Sequence, residues 1–277
     1  MINKKIIICS TVKNEAGNLN KFFKLLDGII YGFKDYFIIF VESDSKDNSS
    51  NIIKKYLSKK KGIIINHNLN DKYNRIKSLE ISRNVYLDFI KSNQKCLEFD
   101  YLFVLDVDGV NNILNYNKIK SSLEMKTDWN AIFPNQKFYY DIFALRIEGL
   151  IEENFVKRIK KDHQSNKYNN LKENFKKNLT RYFKFIKPSE KRFIKVKSAF
   201  GGCGIYKLKQ VIEFRYNSFE GEDCEHVKLN EDLNKKYGKL YIDTELKNSF
   251  GINKHTINGF LCAKFNFFAN RFFLKIK

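Results

Sequence analysis

Over the first 110 positions, apolar residues fall in short continuous runs, and polar turn-formers close each run. Lys5-Ile6-Ile7-Ile8-Cys9-Ser10 opens the series. Its apolar part does not alternate, which marks a strand covered on both faces. Leu19, Phe22, Phe23, Leu25 and Leu26 then recur at helical spacing. Asp35-Tyr36-Phe37-Ile38-Ile39-Phe40-Val41 predicts a second strand, and Ile52, Ile53, Tyr56 and Leu57 a helix. A short strand is expected at 62–66, a long helix at 75–92, and a further strand from Tyr101 that runs into Asp106-Val107-Asp108-Gly109. Strands alternating with helices predict an α/β fold, a Rossmann-type, mostly parallel central sheet flanked by helices. In such sheets ligands bind beyond the carboxyl ends of the strands. Three successive ends carry Ser10/Thr11, Glu42/Asp44 and Asp106/Asp108.

Alternate side chains of a strand share a face, so Asp106 and Asp108 are expected to point together. Either they form an acidic turn that merely ends the strand, or they hold a hard divalent cation, Mn²⁺ or Mg²⁺, with oxygen ligands. No glycine lies between Met1 and Ala16, and no P-loop Lys-Ser/Thr pair is present. A bound diphosphate would therefore be held by a metal rather than by a glycine-rich turn.

Farther along, Trp129–Asn135 reads as another strand. The aromatic stretch 138–146 offers Tyr140 and Asp141 as a wall for a sugar ring, with ordinary core packing as the alternative. Gly201 and Gly202, with Gly204, permit a close backbone approach or a tight bend. Glu220-Gly221-Glu222-Asp223-Cys224-Glu225-His226 sets four carboxylates and a histidine before a helix that Gly238 would cap. Acids there stabilise a helix N-terminus. Read chemically, Asp223 is the candidate general base, with Glu222 and Glu225 as rivals. His226 either completes a metal shell or is a structural histidine.

Charge alters the picture less than its size suggests. The 277 residues carry a formal net charge of +20, but residues 155–197 hold 15 Lys and Arg against 3 acids, and residues 252–277 hold 5 against none. The excess belongs to one insertion and one tail, so nucleic acid is not the expected partner. The insertion has the spacing of amphipathic helices with a cationic face. The tail, with six Phe, suits an anionic membrane surface or packing against the domain. No apolar stretch reaches the ~18 residues that a membrane span needs. Five scattered cysteines without a C-x-x-C pair fit reduced thiols. A cytoplasmic protein with peripheral membrane contact is expected.

These residues, taken in order, resemble the nucleotide-sugar-dependent glycosyltransferases of the A-type (GT-A) fold. Ser10-Thr11-Val12-Lys13-Asn14-Glu15 looks like that family's first loop, and Glu42-Ser43-Asp44 lies in a stretch like its second. Ser82-Arg83-Asn84 resembles its Arg-Asn, Asp106-Val107-Asp108 its D-x-D, and Glu222-Asp223 its Glu-Asp pair. The second and third elements are also similar to fungal capsule-associated mannosyltransferases and bacterial surface-polysaccharide enzymes. Thr11-Val12 stands where proline is frequent, and Gly109 where another acid often follows, which leaves the subfamily open.

The resemblance implies one domain over 1–251, with a nucleotide-binding half at 1–110, an acceptor half at 111–251, and the tail appended. It implies a nucleotide-sugar donor contacted by Ser10, Thr11, Asn14, Glu15, Glu42, Asp44, Arg83, Asp106 and Val107. It further implies a cation on Asp106 and Asp108, with His226 as an added ligand, and a glycan or lipid-linked acceptor. A basic nucleic-acid-binding or nucleotidyl-transfer protein and a non-catalytic binding module are the alternatives.

Overall fold

The computed structural model describes residues 1–136, 141–149, 151–154, 157, 161 and 192–249. Tyr140, most of the basic segment and the aromatic tail lie outside the described residues.

β1 (Ile2–Val12) lies between β2 (Phe33–Glu42) and β4 (Tyr101–Leu105) and runs parallel to both; β3 (Gly62–Asn66) extends the sheet beyond β2. Between these strands come α1 (Ala16–Ile30), α2 (Ser49–Leu57) and α3 (Arg75–Ser92). After β4 the chain forms α4 (Tyr116–Leu123), β5 (Ala131–Gln136), β6 (Phe193–Lys195) and β7 (Cys203–Lys207). A short helical turn α5 (Leu208–Val211), α6 (Glu225–Tyr237) and β8 (Leu240–Ser249) complete it. The eight strands among the described residues stand in the order β3-β2-β1-β4-β7-β5-β8-β6. β7 is antiparallel to both of its neighbours, and β6 to β8.

The unbroken apolar runs follow from two buried faces. Ile7, Cys9, Ile39, Val41, Leu102 and Val104 pack toward Tyr86, Leu87 and Ile90 of α3 and Leu229 and Leu233 of α6. The alternate residues Ile6, Ile8, Ile38, Phe40, Phe103 and Leu105 pack toward Leu19, Phe22 and Leu26 of α1, Ile53 of α2 and Ile119 of α4. Each such fully buried side chain contributes about 1.5–3 kcal/mol relative to exposure. Among the described residues no helix is long and apolar enough to cross a membrane.

β8 escapes a reading by apolar runs because Asp243 interrupts it. That carboxylate is fully buried, and it accepts hydrogen bonds from Ser122 Oγ (2.7 Å) and from Arg192 Nε and Nη2 (3.0 and 2.9 Å). The partners are distant in sequence, so nothing local announces that the acid is neutralised.

Candidate functional site

Register places the chemistry. Val12 pairs with Glu42, and Cys9 with Val104, so the carboxyl ends of β1, β2 and β4 open on one edge of the sheet. A cavity of about 460 Å³ lies there, of a size suited to a small ligand. Thr11, Asn14 and Glu15 line it from the first loop, Ser43 from the second, and Asp106, Val107 and Asp108 from the third. Tyr73, Arg75, Ser78, Ser82 and Arg83 face it from α3 and the turn before it.

The first two loops are stitched together. Asn14 and Glu15 donate their N–H groups to Ser45 Oγ and Ser49 Oγ (both 2.9 Å), and Lys46 N–H donates to Asn14 Oδ1 (2.7 Å). Asn14 has φ 56°, a conformation that asparagine tolerates better than most residues. Glu42 and Asp44, expected at the nucleoside, accept from the backbone N–H groups of Ser45 (2.8 Å) and Leu69 (3.0 Å). Ser43 stands between them at the cavity wall. Ser10 is buried beneath the loop, its hydroxyl without a partner among the described residues.

The acidic pair departs from the strand-face expectation. β4 ends at Leu105, and the Asp106 N–H donates to Gly202 O (2.9 Å) as the chain leaves the sheet. Gly109 N–H then donates back to Val107 O (2.8 Å), which makes a tight turn, and Val107 is buried. The two carboxylates therefore project from a loop and not from one strand face. Burial and the Asp108 charge hold the Asp106 carboxyl up at about 6, with the Arg83 charge opposing them.

That loop rests on a buried amide network with no counterpart in the sequence reading. Asn111 Nδ2 donates to Asp106 O (3.0 Å) and Gly202 O (2.9 Å), while Asn248 Nδ2 donates to Asn111 Oδ1 and Gly201 O (both 2.8 Å). Gln136 Nε2 adds a bond to Gly201 O (2.9 Å). Gly202 has φ 84°, and a Cβ there would stand 2.3 Å from Val110 Cγ1, so the close approach requires glycine.

Arg83, expected to contact the nucleotide-sugar donor, is 2% exposed and already engaged. Its Nη2 donates to Asp106 Oδ1 and its Nε to Glu225 Oε1, both at 3.0 Å, and its guanidinium lies 5.0 Å from the Phe200 ring centre. It ties the acidic loop to the start of α6. The exposed arginine at the cavity is Arg75, which has no hydrogen bond or ion pair among the described residues.

The 222–225 carboxylates diverge. Asp223 accepts from Arg146 Nη2 on both oxygens (2.8 and 2.9 Å), from Asn154 Nδ2 (2.9 Å) and from Cys224 N–H (2.8 Å). Glu222 is exposed and pairs with Lys157 (3.3 Å). Asp141 accepts from the N–H groups of Gly201 (2.9 Å) and Ala144 (3.4 Å); burial pushes its carboxyl above the usual carboxylate range. The Gly201–Gly202 segment thus carries Asp141 on one N–H and the acidic loop on its carbonyls.

His226 departs from the metal-shell expectation. It is 1% exposed, stacked 3.7 Å from Phe200 and edge-on to Tyr216, with Nε2 3.6 Å from Glu225 Oε1, and it is not among the residues lining the cavity. Among the described residues no group of three or more His, Cys, Asp or Glu could hold a metal ion. Burial, with the Arg83 charge adding, pushes the imidazole well below its ordinary value. The unfolded chain titrates near about 6.5, so below that pH only the unfolded chain gains this proton. Stability falls with pH there by up to about 1.4 kcal/mol per unit. His226→Phe is expected to remove that slope, read from urea midpoints at about pH 7 and about pH 5.5; parallel curves for the two proteins would refute a neutral, buried imidazole.

No family profile and no curated protein matches the chain by sequence. Solved structures do match by shape. A mannosyltransferase from Pyrobaculum calidifontis in complex with GDP-Man and Mn²⁺ superposes with a TM-score of 0.53 at 9% identity, over 95% of this chain and 61% of that one. S. aureus TarS 1-349 in complex with UDP-GlcNAc gives 0.49 at 10% identity, over 91% of this chain and 60% of that one. Glucosyl-3-phosphoglycerate synthase of M. tuberculosis gives 0.45 at 8%, over 94% and 80%. The chain spans about three fifths of the length of the first two. The first of these carries the assignment of fold.

Proposed function

We propose that this chain, whose fold is that of the A-type glycosyltransferases, transfers a sugar from a nucleotide-sugar donor to a glycan or lipid-linked acceptor. The observation that carries the reading is the pair Asp106 and Asp108 at the wall of the strand-end cavity. The donor set fits a hard cation: two carboxylates on one loop, one raised to about 6 by burial and by the charge of the other. Mn²⁺ or Mg²⁺ held by Asp106 and Asp108 would supply counter-charge to the diphosphate that leaves.

The chain's own groups do the rest. The first two loops form the floor for the nucleoside, with Thr11, Asn14, Glu15 and Ser43 facing it, Glu42 and Asp44 holding the loops in shape, and Ser10 buried. Arg75, exposed and without an ion pair among the described residues, takes the donor-contacting role expected of Arg83, with the diphosphate as its target. Arg83 instead keeps Asp106 oriented. Tyr140 and Asp141 remain the acceptor wall. Asp141 also takes the proton-accepting role expected of Asp223, because among the described residues two backbone N–H groups and no ion pair hold its carboxylate, whereas Arg146 neutralises Asp223. Surface-polysaccharide or glycoconjugate synthesis, cytoplasmic placement and membrane contact through the tail belong to this proposal.

A panel of nucleotide sugars tested for Mn²⁺- or Mg²⁺-dependent hydrolysis examines the reading; no donor bound or turned over with either metal would sink it. For the base, Asp141→Asn is expected to lower transfer about 10²–10⁴-fold while donor binding persists. Asp223→Asn is expected to act first on the melting temperature, since it uncovers Arg146. Transfer lost in Asp223→Asn at unchanged melting temperature, with Asp141→Asn active, would return the role to Asp223.

A further inference from the structure

Few large hydrophobic side chains are exposed among the described residues, and two of them lie on chain segments that touch. Tyr73, 47% exposed, lines the strand-end cavity. Phe219, 48% exposed, sits on the turn that packs against the residue next to Tyr73. Asn74 Nδ2 lies 3.5 Å from Glu220 O, and a Cβ on Gly221 would fall 2.2 Å from that same nitrogen. Neither ring has an aromatic partner among the described residues.

The turn holds Phe219 where phenylalanine is disfavoured. Phe219, Glu220 and Gly221 have φ of 49°, 59° and 87°. A bulky residue in the left-handed region is strained, and such strain persists only where surroundings over-determine it. Here they do. Ser218 N–H donates to buried Glu80 Oε2 (2.8 Å), Gly221 N–H donates to Ser218 Oγ (3.0 Å), and Lys77 pairs with Glu220 (3.1 Å). None of these contacts uses the phenyl ring. The backbone is pinned, and the ring is left exposed on the turn that meets Asn74, the neighbour of Tyr73.

A pyranose presents an apolar C–H face edged by hydroxyl groups. Two open aromatic faces beside the Lys77–Glu220 ion pair complement that pattern: stacking for the face and charged hydrogen-bonding groups for the edge. A nucleobase is the other flat ligand at hand, but Phe219 lies outside the lining of the cavity assigned to the donor. We propose that Tyr73 and Phe219 form a stacking platform for a pyranose ring of the acceptor, at the mouth of the donor cavity; this rests on the glycosyltransferase reading.

Phe219→Asn separates ring from backbone, because asparagine accepts a left-handed conformation. The variant is expected to melt at or above the wild-type temperature. Saturation-transfer NMR with methyl α-glucopyranoside, methyl α-mannopyranoside and methyl N-acetyl-β-glucosaminide is the probe. Wild type is expected to give transfer to at least one pyranoside, reduced about fivefold or more in Phe219→Asn and restored in Phe219→Trp. Donor affinity, measured by calorimetry with Mn²⁺, is expected to hold in all three proteins. The platform is refuted if no pyranoside shows transfer with wild type, if Phe219→Asn binds pyranosides as wild type does, or if only donor affinity falls. Failure to bind or hydrolyse any nucleotide sugar strikes the functional reading instead, and leaves the pyranoside measurement standing.

Discussion

Asp108→Asn is expected to lower metal-dependent turnover of the donor by about 10³-fold, because charge building on a departing diphosphate loses its counter-ion. The substitution is nearly isosteric. Asp108 Oδ1 accepts a hydrogen bond from Val110 N–H at 3.2 Å, which an amide oxygen can keep. The fold is therefore expected to persist, with the melting temperature within a few degrees of wild type. Two readouts separate chemistry from structure: hydrolysis with saturating Mn²⁺, and Mn²⁺ affinity measured without donor by electron paramagnetic resonance. Both should fall together. A variant that hydrolyses donor at the wild-type rate would remove the metal from the proposal and with it the role of the acidic pair.

Arg83→Met is expected to have the largest effect on stability, about 3–5 kcal/mol, because it leaves Glu225 and Asp106 without their shared cation. Glu225 is 5% exposed, so its charge has little water to turn to. The Arg83→Met/Glu225→Gln double variant is expected to regain part of the loss, since the stranded buried charge is then gone. Urea unfolding of the single and double variants measures the coupling. Additive losses would show that Arg83 and Glu225 stabilise the fold independently, against the bridging role assigned here. Loss of donor affinity at unchanged stability would instead return Arg83 to the donor.

Parts of the site are legible in one dimension because they are local. A strand that must be buried on both faces is written as an apolar run, and a loop at its end as polar residues. So the loops at 10–15 and 42–49 and the acidic pair at 106–108 can be located from the chain alone. What those side chains face cannot. Glu42 and Asp44 read as ligands for a nucleoside, and in the structure they accept hydrogen bonds from Ser45 and Leu69. Arg83 reads as a donor ligand, and its partners lie 23 and 142 residues away. His226 reads as a metal ligand, yet Phe200 and Tyr216 enclose it. In each case the residue type signals polar chemistry, but the partner that uses it is set by packing.

By itself the sequence determined the alternation of strands and helices, the side of the sheet on which polar ends collect, and the acids available there. Periodicity and turn chemistry act between neighbours in the chain, so they can be read without coordinates. Only the tertiary structure decided that β7 inserts antiparallel between β4 and β5, bringing Gly201 and Gly202 beside Asp106. It also decided that Asn111, Asn248 and Gln136 carry the acidic loop, that Arg146 occupies Asp223, and that Arg75 is exposed at the cavity. Those outcomes depend on which distant groups meet, and a hydrogen bond or ion pair between residues a hundred positions apart leaves no local pattern in either segment.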